Sequence, residues 1–262
     1  MRNSILKYCI NKVSKKFKIG TFNMTGKNFS GRTCVFGRGG RSKRLYRQID
    51  FFRRLNLFGI ISSVQYDPFR TSYIGLVYYS NGLMSYITLS NGLTVGNKIY
   101  SGIHLKESTP ISQGYSISLS DISLFNIVSN IELRPYFGAS LARAAGTGAI
   151  LTDSNKKDIT LKLRSGWFVK VPQDVVANLG YMSNVLHNMQ NIGKAGKSRG
   201  LGKRPSVRGV AMNPCDHPHG GGNGKTSPPA VPVTPWGKFT KWTHTKNKKV
   251  DKLKRRLFKK IR

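Results

Sequence analysis

Short apolar runs dominate the middle of the chain, between residues 55 and 190. The runs GIISSVQY, SYIGLVYYS and LMSYITL are rich in Ile, Val, Tyr and Thr, and Asp67-Pro68 and Asn81-Gly82 interrupt them. Such runs, with turn dipeptides between them, predict β-strands. Asn-Gly favours a type I′ turn with positive φ at both central residues, so Leu76–Tyr79 should pair with Leu83–Ile87. Several strands within about 65 residues predict a small closed barrel.

A second block of apolar runs begins near Ser120. Within it, the segment DITLKL alternates apolar and polar residues over six positions, which is typical of a strand with one buried face. Arg164-Ser165-Gly166 then turns the chain into WFVKVP, so the sequence predicts a second hairpin. The run from Asp174 to Gln190 has loose helical spacing, weakened by Gly180, and indicates a helix.

Both ends of the chain are basic and lack apolar periodicity. From Gly20 to Arg54 the sequence interleaves Gly, Arg and Lys with aromatic residues, and no part of it is expected to build a core. Glycines 37, 39 and 40 can adopt positive φ and bring the backbone close to a surface. We interpret the segment as an extended arm on RNA; the alternative is a solvated, disordered charge run. Beyond Asn191 the core-forming pattern ends, and the terminal DKLKRRLFKKIR suits a short helix against RNA.

The charge of the chain is distributed unevenly. Its 44 Lys and Arg residues against 10 Asp and Glu give a formal net charge of +34. Residues 1–54 carry +14, residues 55–190 carry +3 and residues 191–262 carry +17. A compact fold with this charge repels itself unless a polyanion neutralises it, so nucleic acid is the first partner to expect.

Composition disfavours other classes of protein. No window approaches the roughly 18 uncharged apolar residues that a membrane span requires, and the basic tail lacks an amphipathic repeat, so no membrane partner is expected. Cys9, Cys34 and Cys215 are too few and too irregularly spaced for a disulfide framework or a paired zinc site. The opening MRNSILKYCINKVSKKFK is interpreted as the start of an RNA-binding arm, with an organelle transit peptide as the alternative.

The run MNPCDHPHGGGNGKT, residues 212–226, concentrates reactive side chains. Cys215, His217 and His219 alternate and suit zinc, but a fourth ligand is missing. The ending GGGNGKT is similar to a phosphate-binding loop, yet His219 stands where that motif requires its first glycine, and prolines flank the run. Asp216 beside His217 offers a catalytic dyad, but no nucleophile is marked. The interpretation that fits best is a glycine-rich segment packed closely against RNA.

Longer stretches of the sequence carry a family resemblance. The run GKAGKSRGLGKRPSVRGVAMNPCDHPHGGGNGKT, followed by VPVTPWG, closely resembles the signature of the bacterial-type second protein of the large ribosomal subunit, the L-two family. Upstream, SGRTCVFGRGGRSKRLYRQIDFFRR, VQYDPFRTSYIGLVYYSNGLMSYI, ELRPYFGASLARAAGTGA and ITLKLRSG follow the family's order and spacing. The resemblance covers nearly the whole chain beyond residue 25.

The resemblance implies a mainly β protein with four segments. A basic N-terminal RNA-binding arm is expected over residues 1–54 and an OB-fold-like barrel over 55–119. An SH3-like barrel is expected over 120–190, and a basic Gly/Pro-rich rRNA-binding extension over 191–262. The two β blocks and two basic arms read from the residues correspond to this order.

The resemblance and the basic runs together nominate rRNA-binding residues. Those expected are Arg32, Arg38, Arg41, Lys43, Arg44, Arg47, Arg143, Lys194, Lys197, Arg199, Lys203, Arg204, Arg208, Asn213, His217, His219, Gly220, Gly221, Gly222, Lys225 and Trp236. No catalytic or metal-binding residue is expected. No cofactor is implied either, although Mg²⁺ ions shared with the rRNA remain compatible with the family.

The function that the resemblance implies is structural. The family binds large-subunit rRNA beside neighbouring ribosomal proteins, supports assembly and association with the small subunit, and places its C-terminal loop near the peptidyl transferase centre. By position, His217 matches a family histidine once considered a catalytic candidate, but the reaction belongs to RNA. The rival interpretation is a metal- or histidine-dependent enzyme centred on residues 215–219.

The chain also departs from the family pattern. Where the family usually has a glycine run followed by His and Lys, this chain has Gly39-Gly40-Arg41-Ser42-Lys43, which keeps the charge and has no histidine. Frequent Asn, Ile, Tyr, Phe and Lys indicate an AT-rich gene of the kind found in organelle genomes. We therefore expect a mitochondrial ribosome, with a plastid or the bacterial cytoplasm as the alternatives.

Overall fold

The computed structural model describes residues 16–105, 110–155, 157–224 and 231–241, and the backbone of residues 258–260. The fold is mainly β, with an OB-type barrel followed by an SH3-like barrel, as expected. The chain forms two compact units. The barrel unit comprises residues 1–21, 44–191 and 254–262, and the basic unit comprises residues 22–43 and 192–253.

The described strands number fifteen. They are β1 (Lys18–Gly20), β2 (Leu45–Arg47), β3 (Leu57–Gln65), β4 (Ile74–Tyr79), β5 (Met84–Thr88), β6 (Lys98–Ser101), β7 (Ser116–Ser118), β8 (Ile127–Ser129), β9 (Ile131–Glu132), β10 (Ala139–Leu141), β11 (Ala149–Ser154), β12 (Asp158–Leu163), β13 (Trp167–Pro172), β14 (Val176–Leu179) and β15 (Phe258–Lys260). Short 3₁₀ turns cover Leu119–Asp121, Val185–Met189 and Gly209–Ala211, and helix α1 covers Ala195–Gly200.

Eleven of the described strands form one continuous sheet. Its order is β15-β13-β12-β11-β8-β14-β7-β6-β3-β4-β5, while β1 pairs with β2 and β9 with β10. The parallel pairing of Ser101 in β6 with Ser116 in β7 joins the strands of the first barrel to those of the second. All other pairings between these strands are antiparallel.

Two principal hydrophobic cores match the two barrels. The first core contains Ile61, Val77, Ile87 and Ile99 from β3 to β6. The second core is larger and collects Tyr100 of β6 and apolar residues from β7 to β14. Within it, Ile159 and Leu161 of DITLKL are fully buried. The alternation seen in the sequence therefore places its apolar positions inward, because successive strand residues face opposite sides of a sheet.

Both predicted hairpins are present, and one has a different turn from the expected type. Strands β4 and β5 pair as expected, and so do β12 and β13. Between β4 and β5, only Gly82 adopts positive φ, at 81°, and its N–H donates to the Tyr79 carbonyl at 3.0 Å. Asn81 instead uses its side-chain oxygen to accept the Leu83 N–H at 3.1 Å. The type I′ prediction is wrong; the turn is a three-residue loop that ends in a left-handed glycine.

The helix expected over residues 174–190 is also wrong. Residues Val176–Leu179 form β14, which is hydrogen-bonded between β7 and β8, and only Val185–Met189 makes a 3₁₀ turn. Two neighbouring strands supply the backbone partners that local spacing could not reveal. At the C-terminus, Phe258–Lys260 is a strand paired with β13, so the helix predicted there is wrong for these residues. The rest of that predicted helix lies outside the described residues.

The stretch before the first barrel is less extended than expected. Strand β2 pairs with β1, and Ile49 packs against the buried cluster of Ile74, Leu76 and Tyr86. Arg53 is 3% exposed. The expectation that nothing between Gly20 and Arg54 contributes to a core is therefore wrong for the end of this segment, because the barrel supplies apolar and polar partners for it.

Candidate nucleic-acid interface

The basic unit is assembled from two segments that are far apart in the sequence. The Gly39 N–H donates to the Gly202 carbonyl and the Arg204 N–H to the Gly37 carbonyl, both at 2.8 Å. These bonds flank an antiparallel bridge between Arg38 and Lys203. A Cβ at Gly39 would stand 2.9 Å from Cγ of Arg204, so glycine permits this close approach. The surface that Gly39 approaches is thus another part of the same chain.

Positive charge in the described part of the basic unit has almost no internal counterpart. Its described residues include 13 Lys or Arg and one acid, Asp216. Within the described part of the chain, none of these cations forms an ion pair with a carboxylate. The predicted binding residues among them are all exposed: Arg32, Arg38, Arg41, Lys43, Lys194, Lys197, Arg199, Lys203, Arg204 and Arg208.

Two exposed aromatic rings accompany these cations. The rings of Phe36 and Trp236 have centroids 5.7 Å apart, and the side chains are 63% and 64% exposed. They belong to the two segments that form the unit. A groove of about 750 Å³ is lined by Phe36 together with Arg38 and Arg204. Trp236 was nominated from the sequence; Phe36 was missed, although its position within a Gly/Arg run was a usable signal.

The loop of residues 212–224 is a compact turn rather than an extended segment. The Asn213 carbonyl accepts the N–H groups of Asp216 and His217 at 3.0 and 3.3 Å. The Gly220 N–H donates to the His217 carbonyl at 2.8 Å, and Gly220 lies directly against the Asn213 carbonyl, where a Cβ would overlap it. Asn213 is exposed at this turn. Glycine is required at position 220 because the two ends of the loop approach each other too closely there for a side chain.

Both histidines of the loop act as hydrogen-bond acceptors. Nδ1 of His217 accepts the His219 N–H at 3.0 Å, and Nε2 of His219 accepts the Val233 N–H at 3.1 Å. A backbone N–H can only donate, so each of these ring nitrogens is used as an acceptor within the loop. His217 is 7% exposed, and a Cβ at Gly209 would stand 2.6 Å from its ring. The histidines therefore brace the loop.

The loop does not assemble a metal-binding group. Cys215 is exposed, while the two imidazole rings lie 4.7 Å apart and are occupied as acceptors. Across the described residues, no group of three or more His, Cys, Asp and Glu side chains could hold a metal ion. No helix among these described residues has the length and apolar character needed to cross a membrane.

Three nominated arginines belong to the barrel unit and have protein partners. The Arg44 guanidinium lies 4.2 Å from the centroid of the Phe69 ring and donates to the Pro68 carbonyl at 3.1 Å. Arg47 lies 3.8 Å from a carboxylate oxygen of Asp67. Arg143 donates to the Ala139 carbonyl at 3.3 Å. Of the other nominated residues, Gly221 and Gly222 lie in the basic unit, and Lys225 lies outside the described residues.

Comparison with known proteins identifies the family. The family model described as "Ribosomal Proteins L2, RNA binding N-terminal domain" matches residues 15–101, and "Ribosomal Proteins L2, C-terminal domain" matches residues 112–237. The "Large ribosomal subunit protein uL2" of Cereibacter sphaeroides is 43% identical over 236 residues, which are 89% of this chain and 83% of that protein.

Further relatives agree with these matches. The protein of the same name from Orientia tsutsugamushi is 43% identical over 236 residues, or 90% of this chain and 85% of the relative. That of Rickettsia typhi is 42% identical over 240 residues, or 91% and 86%. With two matching domain models and relatives aligned along most of its length, the chain belongs to the ribosomal protein L2 family.

Proposed function

We propose that this chain is a structural protein of the large ribosomal subunit that binds rRNA, with the basic unit as its principal RNA contact. The observation that carries the proposal is the set of 13 exposed or half-exposed cations, against one acid, without internal ion pairs among the described residues. The names of its relatives, which are large ribosomal subunit proteins, support the same conclusion.

The cations, the aromatic rings and the backbone hydrogen bonds of the basic unit contribute to RNA binding in different ways. Exposed guanidinium and ammonium groups neutralise phosphates, which supplies most of the affinity. The Phe36 and Trp236 rings offer stacking surfaces for unpaired bases, since every base has a π-face. Hydrogen bonds between Gly37, Gly39 and the 202–204 backbone hold the two basic segments together before RNA arrives, so less conformational entropy is lost on binding.

We assign the loop of residues 212–224 a positioning role. His217 and His219 hold its backbone, while Asn213, Gly222 and neighbouring cations are exposed for RNA contact. Following the family resemblance, we propose that this loop lies near the peptidyl transferase centre. We also propose that the protein supports subunit assembly, contacts neighbouring ribosomal proteins and contributes to association with the small subunit. No observation favours the rival enzyme centred on residues 215–219.

We propose the expected order of segments, with arms at 1–54 and 191–262 and barrels at 55–119 and 120–190, except that the boundary between the barrels is placed before β7, because β7 pairs with β14 and contributes Ile117 to the second core. For location, we propose the large subunit of mitochondrial ribosomes. Its support is the AT-rich type of composition together with the alpha-proteobacterial character of the relatives. Co-sedimentation of the protein with mitochondrial rather than plastid or cytoplasmic large subunits is the expected result of fractionating the source cells.

A salt titration tests the proposed function. The full-length protein is bound to large-subunit rRNA over salt concentrations from about 50 to 200 mM. Log affinity should fall by roughly 0.7 to 0.9 per neutralised phosphate for each log unit of salt. Because many cations are exposed, we expect a slope that corresponds to several phosphates. A flat response would contradict the proposal, as would equal affinity for rRNA and for an unrelated acidic protein used as the control.

A further inference from the structure

A groove on the second barrel has the composition of an RNA-binding site, although it lies outside the basic unit. It occupies about 440 Å³, within the range of small-ligand pockets. No acidic residue is among the described residues that line it. The lining consists of Gly146, Gly148, Lys162, Arg164, Gly166 and Tyr181 together with the apolar side chains of Ile150, Leu163 and Val185.

The tyrosine in this groove is held in place by the end of β14. Gly180 follows the strand with φ of 96°, a conformation that favours glycine. The Tyr181 carbonyl then accepts the Asn91 N–H at 2.7 Å. Its ring lies against Gly148, where a Cβ would stand 2.8 Å from Cδ1. With 44% of Tyr181 still exposed, part of the ring is accessible from the groove.

Two cations stand on the β12–β13 hairpin beside the tyrosine. Lys162 and Arg164 are both exposed, and neither forms an ion pair within the described residues. Arg164 donates to the Gly146 carbonyl at 3.0 Å, which fixes the guanidinium at the groove. Gly166 has open space where a side chain would stand. The groove therefore combines an accessible aromatic ring, positive charge and an unobstructed glycine.

We propose that this groove binds one unpaired nucleotide of rRNA, with its base stacked on Tyr181 and its phosphate contacted by Lys162 and Arg164. The positive lining favours a nucleotide over an apolar peptide segment, because an anion gains from both cations. Stacking on aromatic rings and phosphate contact are the usual means of recognising single-stranded RNA. The inference rests on the proposed rRNA-binding function and adds a second contact site, on the barrel unit.

Photo-crosslinking of the full-length protein to large-subunit rRNA tests this site. After nuclease digestion, mass spectrometry should find a nucleotide adduct on Tyr181 or an adjacent groove residue. Tyr181→Ala should abolish the adduct and lower affinity by about fivefold to 150-fold, the usual effect of losing one stacked base. Tyr181→Phe should keep both, because the ring remains. Tyr66→Ala, which removes a 68% exposed tyrosine outside the groove, is the matched control and should change affinity less than twofold.

Lys162→Gln provides a second measurement, at an exposed lysine whose Nζ lies 5.9 Å from the centroid of the Phe168 ring; unchanged urea unfolding of the variant checks that the barrel is intact. The substitution should reduce the log–log salt slope by roughly 0.7 to 0.9, the value for one phosphate contact. Adducts confined to the basic unit would overturn the groove proposal while leaving the proposed function intact. A crosslink between Tyr181 and another ribosomal protein in whole subunits would also overturn it. Salt-independent binding without any adduct would overturn both.

Discussion

The barrel unit and the basic unit use the same types of charged residue in opposite ways. In the barrel unit, Arg54 donates to the buried carboxylate of Glu132 at 2.6 Å, and the buried Asp67 is paired with Arg70 at 3.1 Å. In the described part of the basic unit, no arginine or lysine has such a partner. The difference shows that internal pairing, rather than residue type, separates structural cations from those available to a ligand.

Arg53 is the extreme case within the barrel unit. Its guanidinium donates to Ser101 Oγ at 2.9 Å and to the carbonyls of Gly114 and Tyr100 at 3.1 and 2.8 Å. Burial lowers the pKa of Arg53, and the nearby Tyr79 and Asp50 oppose that shift. Three hydrogen bonds compensate for the removal of this charge from water. Arg53 thus ties β6 to the segment before β7.

The largest expected effect comes from Glu132→Gln in the barrel unit. Glu132 is 1% exposed and also accepts the N–H groups of Gly138 and Val176 at 3.0 and 3.3 Å. Removing its charge leaves Arg54 without its carboxylate, so the free energy of unfolding should fall by about 3–5 kcal/mol. Urea unfolding followed by fluorescence measures this change. Asp174→Asn, at an exposed position, is the control and should alter stability by no more than about 0.5 kcal/mol. Equal losses of stability in the two variants would contradict the distinction between internally paired and exposed charges.

A smaller effect is expected from His217→Ala in the basic unit. The substitution leaves the His219 N–H without its acceptor and removes the ring packed at Gly209, so the loop should lose about 1–3 kcal/mol of local stability. Amide hydrogen exchange over residues 209–221 measures the loss. His104, whose side chain is 71% exposed and paired with Asp121, is the matched control in the barrel unit. His104→Ala should change stability by less than about 1 kcal/mol. Unchanged exchange in the His217 variant would contradict the bracing role.

The smallest expected effect comes from Arg204→Gln combined with Arg208→Gln. Both side chains are exposed, and glutamine retains the Cγ that lies against Gly39 at position 204, so folding should be unaffected. Each change removes one of many phosphate contacts and should reduce the salt slope by about 1, so the pair should reduce it by about 2 and lower affinity by about tenfold or less. Sedimentation of assembled subunits should show modestly reduced incorporation. Lys157→Gln with Lys170→Gln, on exposed barrel positions, is the control pair.

The sequence predicted the parts of the fold that depend on local pattern. Alternation in DITLKL correctly indicated which residues face the core, and turn residues correctly located both hairpins. Residues 176–179 were misassigned because their strand conformation is stabilised by β7 and β8 rather than by local propensity. The turn at Gly82 differed from expectation because the Asn81 side chain bonds to the backbone instead of adopting positive φ.

The candidate site was predictable to a similar extent. Charge density and family resemblance identified the two basic segments and favoured an RNA-packing role for the reactive-looking loop, with an enzyme centred on residues 215–219 as the alternative. The sequence did not reveal that Arg44 and Arg47 contact the barrel's own Phe69 and Asp67, because these contacts depend on the packing of separated segments. Tyr181 was not nominated either, because the groove that it lines is formed with Gly148, Lys162 and Arg164, which are distant from it in the chain.

By itself, the sequence determined the mainly β character, the excess of positive charge and the family, because each is written in composition, periodicity or residue order. Only the tertiary structure decided how individual polar groups are used. It buried Arg53 with three acceptors, assigned His217 to a backbone N–H, and left Arg204 exposed. The reason is physical: the stability of a charge or hydrogen bond depends on burial and partners, and these come from residues distant in the chain.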